Sequence, residues 1–197
     1  MELIARYGGL PETLSVFAET APMRRLRQVG MHCGCEYTAC PLYKGKPAYS
    51  RYLHSLGAAA IVWHFTKDEA QSLSALFHDI ATPVFAHVVD FLNGDHLRQE
   101  STEAPTHDIL TNDAKLQAGL RALGLQTQDV DDYHRYPIAD NDSPRLSSDR
   151  LEYTLGNAYR VFGASLDEIS AVYEDLTVLE AEDGQPVVGA GIAPASL

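Results

Sequence analysis

The chain contains little cysteine, and its few cysteines argue against a disulfide framework. Cys33, Cys35 and Cys40 are an odd number of thiols, whereas small secreted domains use paired cysteines. We therefore expect buried free thiols, which behave as small apolar side chains. The Cys33-Gly34-Cys35 segment could begin a soft-metal site, but no second cysteine pair follows it.

Long apolar runs are also missing. No run approaches the roughly 18 apolar residues that a membrane-spanning helix needs, and the longest, residues 56–63, is expected to lie in a buried helix. The first residues lack the basic-then-apolar order of a secretory signal. We therefore expect a cytoplasmic protein without a membrane partner.

Basic charge is scarce as well. The 15 Lys and Arg residues stand against 27 Asp and Glu residues, for a net charge of -12. Proteins that bind DNA or RNA usually present a basic surface, so polymeric nucleic acid is not an expected partner. A small anionic substrate is compatible with this charge, because a few arginines and a metal can dominate one pocket.

The order of predicted elements favours an all-α fold. Neither a glycine-rich phosphate loop nor strand–helix alternation occurs, which argues against an α/β nucleotide-binding fold. Thr66 and Glu69 are spaced like a capping box, and the small residues 57–60 would allow close helix packing. Apolar periodicity predicts helices over residues 12–21, 23–30, 52–65, 67–77, 84–92, 109–123, 146–162 and 166–173.

The carboxyl-terminal part differs from the rest. Asp183-Gly184 lies between β-prone runs, residues 176–179 and 186–189, and this arrangement is typical of a hairpin. The sequence thus predicts an all-α bundle with a small C-terminal β-hairpin. Its expected parts are a helical lead-in (1–22), a main domain (23–163) and an appendage (164–197).

An adjacent histidine and aspartate end one of the apolar helical stretches. His78 and Asp79 follow the sequence SLSALF, and burying both without a partner would be costly. A divalent cation would satisfy the imidazole nitrogen and the carboxylate oxygen together. His54 precedes the pair and Asp149 follows it, so the chain has the order H…HD…D.

This order resembles the HD-domain superfamily of metal-dependent phosphohydrolases. The resemblance extends to the segments RLR, SRYLHSLG, FHDIATPVFAH and SDRLEY, which occur in the order found in the dNTP triphosphohydrolase-like branch. It implies an HD-domain helical bundle in which one divalent metal is held by His54, His78, Asp79 and Asp149. Two imidazoles and two carboxylates suit Mn, Fe, Co, Ni or Zn, and the sequence does not choose among these metals.

The resemblance also implies roles for residues around the metal. Arg51 lies three residues before His54 on the same helix face and would contact substrate phosphate. His87 would act as general acid or phosphate ligand, and Asp90 would orient it. Arg150 and Tyr153 match residues that the branch places on phosphate and sugar.

Three positions depart from the branch. Thr82 replaces a histidine associated with the leaving group, and Gln99-Glu100 stands where a His-Glu pair is common. Thr82 and Glu100 are therefore candidate substrate-contacting residues whose chemistry differs from that of the branch. Met31 falls where the branch places a polar residue that reads the base, so nucleobase specificity is not carried over.

The leading hypothesis is a hydrolase that cleaves a phosphate ester or anhydride of a small molecule, with a nucleotide as the expected substrate. A cyclic-nucleotide phosphodiesterase is an alternative of the same class. A non-catalytic HD module that binds a nucleotide or a partner, or a di-iron oxygenase, is an alternative of another class. A second metal would need further donors, for which His87, Glu100 and His107 are the candidates. The hairpin could serve as a homo-oligomer contact.

Overall fold

The computed structural model describes residues 1–85, 88–89, 92 and 105–191. These ranges contain nine α-helices and one antiparallel hairpin, so the predicted all-α fold with a small β-hairpin is confirmed. The elements are α1 (Glu2–Arg6), α2 (Glu12–Ala18), α3 (Ala21–Arg25), α4 (Arg51–Thr66), α5 (Glu69–Phe77), α6 (Thr106–Asn112), α7 (Ala114–Ala122), α8 (Ser148–Arg160), α9 (Leu166–Glu174), β1 (Leu176–Glu180) and β2 (Pro186–Ala190).

Helix α4 is the central element, and it packs against both α5 and α8. The Ser50 hydroxyl caps its first turn by accepting a hydrogen bond from the Leu53 N–H. The helix is buried nearly all round between Leu56 and Val62, as expected for an apolar helix within a bundle. Its small residues allow the close packing predicted from the sequence, because a Cβ at Gly57 would lie 2.5 Å from Cγ of Glu152 on α8.

The start of α5 differs from the prediction. Asp68, and not Thr66, caps this helix, since its carboxylate accepts a hydrogen bond from the Gln71 N–H at 2.9 Å. Thr66 instead ends α4, where its hydroxyl donates to the Val62 carbonyl oxygen at 2.8 Å. Lys67 adopts a left-handed conformation with φ of 53° and so separates the two helices. The capping-box prediction was wrong because a better acceptor follows Thr66 by two residues.

Two other predicted helices are interrupted. The stretch predicted over 109–123 is divided at Asp113, whose carboxylate caps α7 by accepting from the N–H groups of Lys115 and Leu116. In the stretch predicted over 23–30, the α-helix ends at Arg25 and is followed by a 3-10 turn, Leu26–Gln28. The helix predicted over 84–92 falls partly outside the described residues; among those described, 84 and 85 form a turn, and 88, 89 and 92 are helical.

The cysteines are not buried as expected. Cys33 is partly exposed, and Cys35 and Cys40 are fully on the surface. They lie in a segment of turns and 3-10 structure that connects α3 to α4, and most described side chains of this segment between residues 35 and 48 are exposed. All three thiols are free.

The hairpin confirms the prediction from Asp183-Gly184. Strands β1 and β2 pair antiparallel with Val178 opposite Val188, and Gly184 adopts φ of 79° in the turn. Val188 is buried and also forms an isolated bridge with Leu146, just before α8. The hairpin is thereby attached to the segment that leads into α8.

A continuous apolar core joins the first and last described elements. Leu3 on α1 and Val188 on β2 belong to the same buried cluster, together with Leu14, Ile61 and Phe77. Within the described ranges, no helix combines the length and the hydrophobicity that a crossing of the bilayer demands.

Candidate metal centre

His54 lies on the buried face of α4, with both ring nitrogens facing acidic side chains of α8. Its Nε2 is 2.8 Å from Oδ1 of Asp149, and its Nδ1 is 2.6 Å from Oε2 of Glu152. The side chain is 2% exposed, so water does not compete for these contacts. An ionised Glu152 can only accept, and therefore Nδ1 of His54 donates to it.

His78 directly follows α5 and turns its Nε2 toward His54. Its Nδ1 is 2.7 Å from the Ala75 carbonyl oxygen, which can only accept, so Nδ1 carries the proton. The Nε2 atoms of His78 and His54 are 3.2 Å apart. When both rings are neutral and carry their proton on Nδ1, each Nε2 has a lone pair, and the two lone pairs face each other.

Asp149 completes a cluster of three ligand atoms. One donor atom each from His54, His78 and Asp149 lies within 4.8 Å of the other two. The Ser147 hydroxyl caps α8 by accepting from the Arg150 N–H, which places Asp149 in the first turn of the helix. Two imidazole nitrogens and a carboxylate oxygen that converge in this way suit a divalent transition metal.

Asp79 adjoins this cluster and has one oxygen free. Its Oδ1 accepts hydrogen bonds from Nη1 of Arg51 at 2.5 Å and from the Thr82 hydroxyl at 2.8 Å. Its Oδ2 is buried, has no hydrogen-bond partner among the described residues and lies 3.4 Å from Nε2 of His78. A buried carboxylate oxygen without a partner is costly, and a cation beside His78 would satisfy it.

The charges of these groups favour a cation at the centre. Burial raises the pKa of Asp79, but Arg51 and His78 outweigh burial and hold that pKa well below its usual range. Burial lowers the pKa of His54, but its hydrogen bonds to Asp149 and Glu152 outweigh burial and raise it to about 10. Without a metal, a proton on His54 therefore supplies the positive charge that the carboxylates require.

Arg51 begins α4 and lies beside Asp79. Its side chain is 10% exposed, and its Nε is buried without a hydrogen-bond partner among the described residues. The guanidinium is thus held next to the candidate metal ligands through Nη1, while its Nε–H is free. This position agrees with the expected location of Arg51, although its contact with phosphate stays a prediction.

Arg150 is occupied by the loop that precedes α8. Its guanidinium donates to the carbonyl oxygens of Arg145 and Asn141, to the Asn141 side chain and to Asp140. These bonds fix the loop next to Asp149. A contact between Arg150 and substrate would use the second N–H of Nη1, which makes one bond to Asp140, or would exchange one of these bonds.

The remaining predicted residues lie in different places. Thr82 is buried and contacts Asp79, whereas Tyr153 is 44% exposed on the outer side of α8. His87, Asp90 and Glu100 lie outside the described residues, so their predicted roles stay predictions.

Sequence reasoning missed Glu152 and Tyr49. The Tyr49 hydroxyl donates to Oε2 of Glu152 at 2.5 Å, and Glu152 in turn accepts from His54. The spacing could have identified Glu152, because this residue lies three positions after Asp149 and so faces the same side of α8. Tyr49 precedes the helix and carries no periodicity that points to the site.

Comparisons with known proteins agree with a metal site of this kind. No protein-family model matches the chain. It is 25% identical over 166 residues to the uncharacterized protein YdhJ of Bacillus subtilis, covering 84% of the chain and 49% of that protein. It is 24% identical over 162 residues to the metal-dependent phosphohydrolase cns2 of Cordyceps militaris, covering 80% of the chain and 44% of that protein. The chain thus spans about half the length of the curated relatives it matches.

A solved structure shows the same fold. The crystal structure of a hypothetical protein from Aquifex aeolicus superposes with a TM-score of 0.61 at 22% identity, over 91% of this chain and 50% of that one. The weak similarity to a metal-dependent phosphohydrolase and the His54–His78–Asp149 cluster together support an HD-like superfamily.

Proposed function

We propose that the protein is a metal-dependent phosphohydrolase that cleaves a phosphate ester or anhydride of a small molecule. The observation that carries the proposal is the convergence of Nε2 of His54, Nε2 of His78 and a carboxylate oxygen of Asp149. Both imidazoles use Nδ1 as a donor elsewhere, so their remaining nitrogens are prepared to bind a cation. The similarity to a relative named a metal-dependent phosphohydrolase supports the same class.

The residues present fit a single Mn, Fe, Co, Ni or Zn ion. His54, His78, Asp149 and the free oxygen of Asp79 would hold it, and this mixed set of nitrogen and oxygen donors suits those metals. When bound, such an ion acts as a Lewis acid on a phosphoryl oxygen and lowers the pKa of bound water. Asp79 and Asp149 are ionised at neutral pH, since their hydrogen-bonded and charged neighbours outweigh burial and lower both pKa values.

Arg51 is the proposed phosphate-contacting residue. Its free, buried Nε–H can donate to a phosphate oxygen while Nη1 stays on Asp79, and charge-assisted hydrogen bonds of this type are strong. Arg150 would contact substrate through the second N–H of Nη1, which makes one bond to Asp140, or by exchanging a bond with its loop. For proton transfer to the leaving group we propose His87, oriented by Asp90, on the basis of the sequence resemblance alone.

A nucleotide is the proposed substrate class, and a cleft next to Tyr49 supports it. The cleft has a volume of about 270 Å³ and is lined by His32, Tyr43 and Tyr49 together with the cations Arg27 and Lys46. The rings of His32 and Tyr43 have centroids 4.7 Å apart. Aromatic faces suit a planar base, and basic side chains suit phosphate.

A turnover panel tests the proposal. Purified protein would be incubated with nucleoside mono-, di- and triphosphates and with cyclic nucleotides, each with Mn, Co or Ni, while phosphate, pyrophosphate and triphosphate release are measured separately. Asp149→Ala should abolish turnover, because it removes a metal ligand. Asp167→Ala is the matched control, since Asp167 is 94% exposed on α9, and it should keep full activity.

The outcomes separate the alternatives. Normal turnover by Asp149→Ala would refute the site. Tight nucleotide binding without turnover under every metal would indicate a non-catalytic module. Two irons per chain would indicate an oxygenase, although His107, one candidate donor for a second metal, pairs with Asp131 on the surface.

A further inference from the structure

Glu152 is a buried carboxylate that substrate would not reach. It lies on α8, and its side chain is 2% exposed. Two donors meet its Oε2, the hydroxyl of Tyr49 at 2.5 Å and Nδ1 of His54 at 2.6 Å. A carboxylate at this depth is costly unless nearby groups compensate its charge, so its position requires an explanation beyond packing.

Two glycines make room for this pair of side chains. A Cβ at Gly57 on α4 would lie 2.5 Å from Cγ of Glu152 and 2.7 Å from its Oε1. A Cβ at Gly156 on α8 would overlap the hydroxyl of Tyr49. Both helices therefore omit a side chain where the carboxylate and the phenol must fit. The backbone itself is adapted to these two polar groups.

The contact with His54 has a direct consequence for metal binding. A carboxylate that accepts from Nδ1 fixes the tautomer in which Nε2 bears the lone pair, and it fixes the plane of the ring. It also makes Nε2 a more basic ligand. Tyr49 in turn prevents Glu152 from rotating away, because its hydroxyl binds the same oxygen.

We propose that Glu152, held by Tyr49, is a positioning residue that sets the tautomer, orientation and affinity of His54 as a metal ligand. The inference rests on the metal site of the proposed function but not on the reaction that the site performs. It differs from a merely structural role, in which loss of Glu152 would lower stability and leave metal binding unchanged once the protein is folded.

The experiment compares the affinities of isosteric variants for Co²⁺. Metal-free wild type, Glu152→Gln and Tyr49→Phe would be titrated with Co²⁺ against a competing chelator, and visible absorption would report ligand geometry. Replacing a carboxylate that supports a metal-binding histidine typically weakens metal affinity about 10- to 100-fold. We expect Glu152→Gln to fall in that range with an altered spectrum, and Tyr49→Phe to show a smaller loss in the same direction.

Glu168→Gln is the matched control. Glu168 forms the capping box of α9 with Ser165, so this change should lower stability without altering Co²⁺ affinity. Circular dichroism and thermal unfolding of each metal-free variant would establish that the titrated protein is folded. A folded Glu152→Gln with wild-type affinity and spectrum would overturn the proposal. Wild type that binds no metal would overturn both this inference and the proposed site.

A second measurement covers the case in which Glu152→Gln does not fold. NMR spectra of Co²⁺-loaded wild type should contain hyperfine-shifted N–H signals from Nδ1 of His54 and of His78, both protected from exchange with water. In Tyr49→Phe the His54 signal should exchange faster, while that of His78, bonded to the Ala75 carbonyl, should not change. Absence of a protected His54 signal in wild type would overturn the proposal.

Discussion

The hydroxyl of Thr82 lies 2.8 Å from Oδ1 of Asp79, and it helps to direct the other oxygen of that carboxylate toward His78. Thr82 is 2% exposed, so water cannot replace this bond. The residue that departs from the resembled phosphohydrolases thus supports Asp79, one of the proposed metal ligands.

Thr82→Val should weaken metal binding and lower stability. The change keeps the shape of the side chain and removes a donor to a charged acceptor, for which a loss of about 1.5–3 kcal/mol in the free energy of unfolding is expected. Urea denaturation of metal-free protein and Co²⁺ titration would measure both effects. Thr82→Ser keeps the hydroxyl and should bind Co²⁺ like wild type; equal Co²⁺ affinity in the valine variant would contradict this account.

Arg51→Met should destabilise the metal-free protein strongly. The change leaves Asp79 buried without its cation, and breaking a buried ion pair typically costs about 3–5 kcal/mol. A bound metal would supply positive charge to the same carboxylate, so the loss should be smaller with Mn²⁺ than with chelator. Denaturation curves under both conditions would show the difference.

Arg145→Met is the control for that variant. Arg145 pairs with Asp183 at 2.7 Å, but the two side chains are 36% and 48% exposed. Exposed pairs contribute roughly 0–1 kcal/mol, and this loss should not depend on metal. If Arg51→Met lowered the free energy of unfolding no more than Arg145→Met does, the buried Arg51–Asp79 pair would contribute no more than an exposed pair.

Removing the metal should lower the melting temperature. A ligand present at 100 times its dissociation constant stabilises the folded state by about 2.7 kcal/mol, and each kcal/mol corresponds to roughly 2–4 °C in a domain of this size. We therefore expect a decrease of about 5–10 °C on chelation, measured by scanning calorimetry. Asp149→Ala should melt at the same temperature with and without metal, and a metal-dependent shift in that variant would argue for binding elsewhere.

Tyr7 should limit stability at alkaline pH. Its ring is fully buried against Tyr173, with centroids 4.9 Å apart, and its hydroxyl has no hydrogen-bond partner among the described residues. Burial, with a further contribution from Glu152, raises the pKa of Tyr7 far above its usual 10. The folded state keeps the phenol neutral, whereas the unfolded chain releases this proton near pH 10. The contribution of Tyr7 to the free energy of unfolding is therefore present below pH 10 and is lost as pH rises above 10.

The Tyr7→Phe variant should not lose stability in this way above pH 10, because phenylalanine has no hydroxyl to ionise. Above pH 10 the stability of wild type should fall relative to the variant by about 1.4 kcal/mol per pH unit. Urea denaturation at pH 8, 10 and 11 would measure the difference. Tyr37→Phe is the control, since Tyr37 is 75% exposed. Parallel stability curves for wild type and Tyr7→Phe would show that Tyr7 ionises as easily in the folded protein.

The sequence predicted the all-α fold because α8 and α9 carry apolar residues at helical spacing and α4 is apolar nearly all round. From a resemblance in residue order it also predicted that His54, His78, Asp79 and Asp149 hold a metal; His54, His78 and Asp149 cluster and Asp79 adjoins them, and their role as ligands stays a prediction. Where a choice between neighbouring polar residues decided a helix end, as at Thr66 and Asp68, propensity alone was insufficient.

Contacts between distant segments were beyond prediction. The Tyr49 hydroxyl reaches Glu152 where Gly57 on α4 leaves room for the carboxylate and Gly156 on α8 leaves room for the phenol, and pairing of this type leaves no local pattern. For Arg150 the local pattern was present but incomplete. Its position next to Asp149 in the sequence favoured a substrate role, whereas its hydrogen bonds to the preceding loop depend on a backbone path that the sequence does not reveal.

The placement of Asp149 and Glu152 one helical turn apart has a consequence for how the two helices align. These carboxylates contact opposite nitrogens of the same imidazole, His54, at 2.8 Å and 2.6 Å. A slip of α8 by one residue along α4 would remove both contacts at once and leave the buried side chains of His54 and Glu152, each 2% exposed, without their pairing. The contacts of Asp149 and Glu152 with His54 therefore favour one register of α8 along α4, in addition to the apolar packing between the two helices.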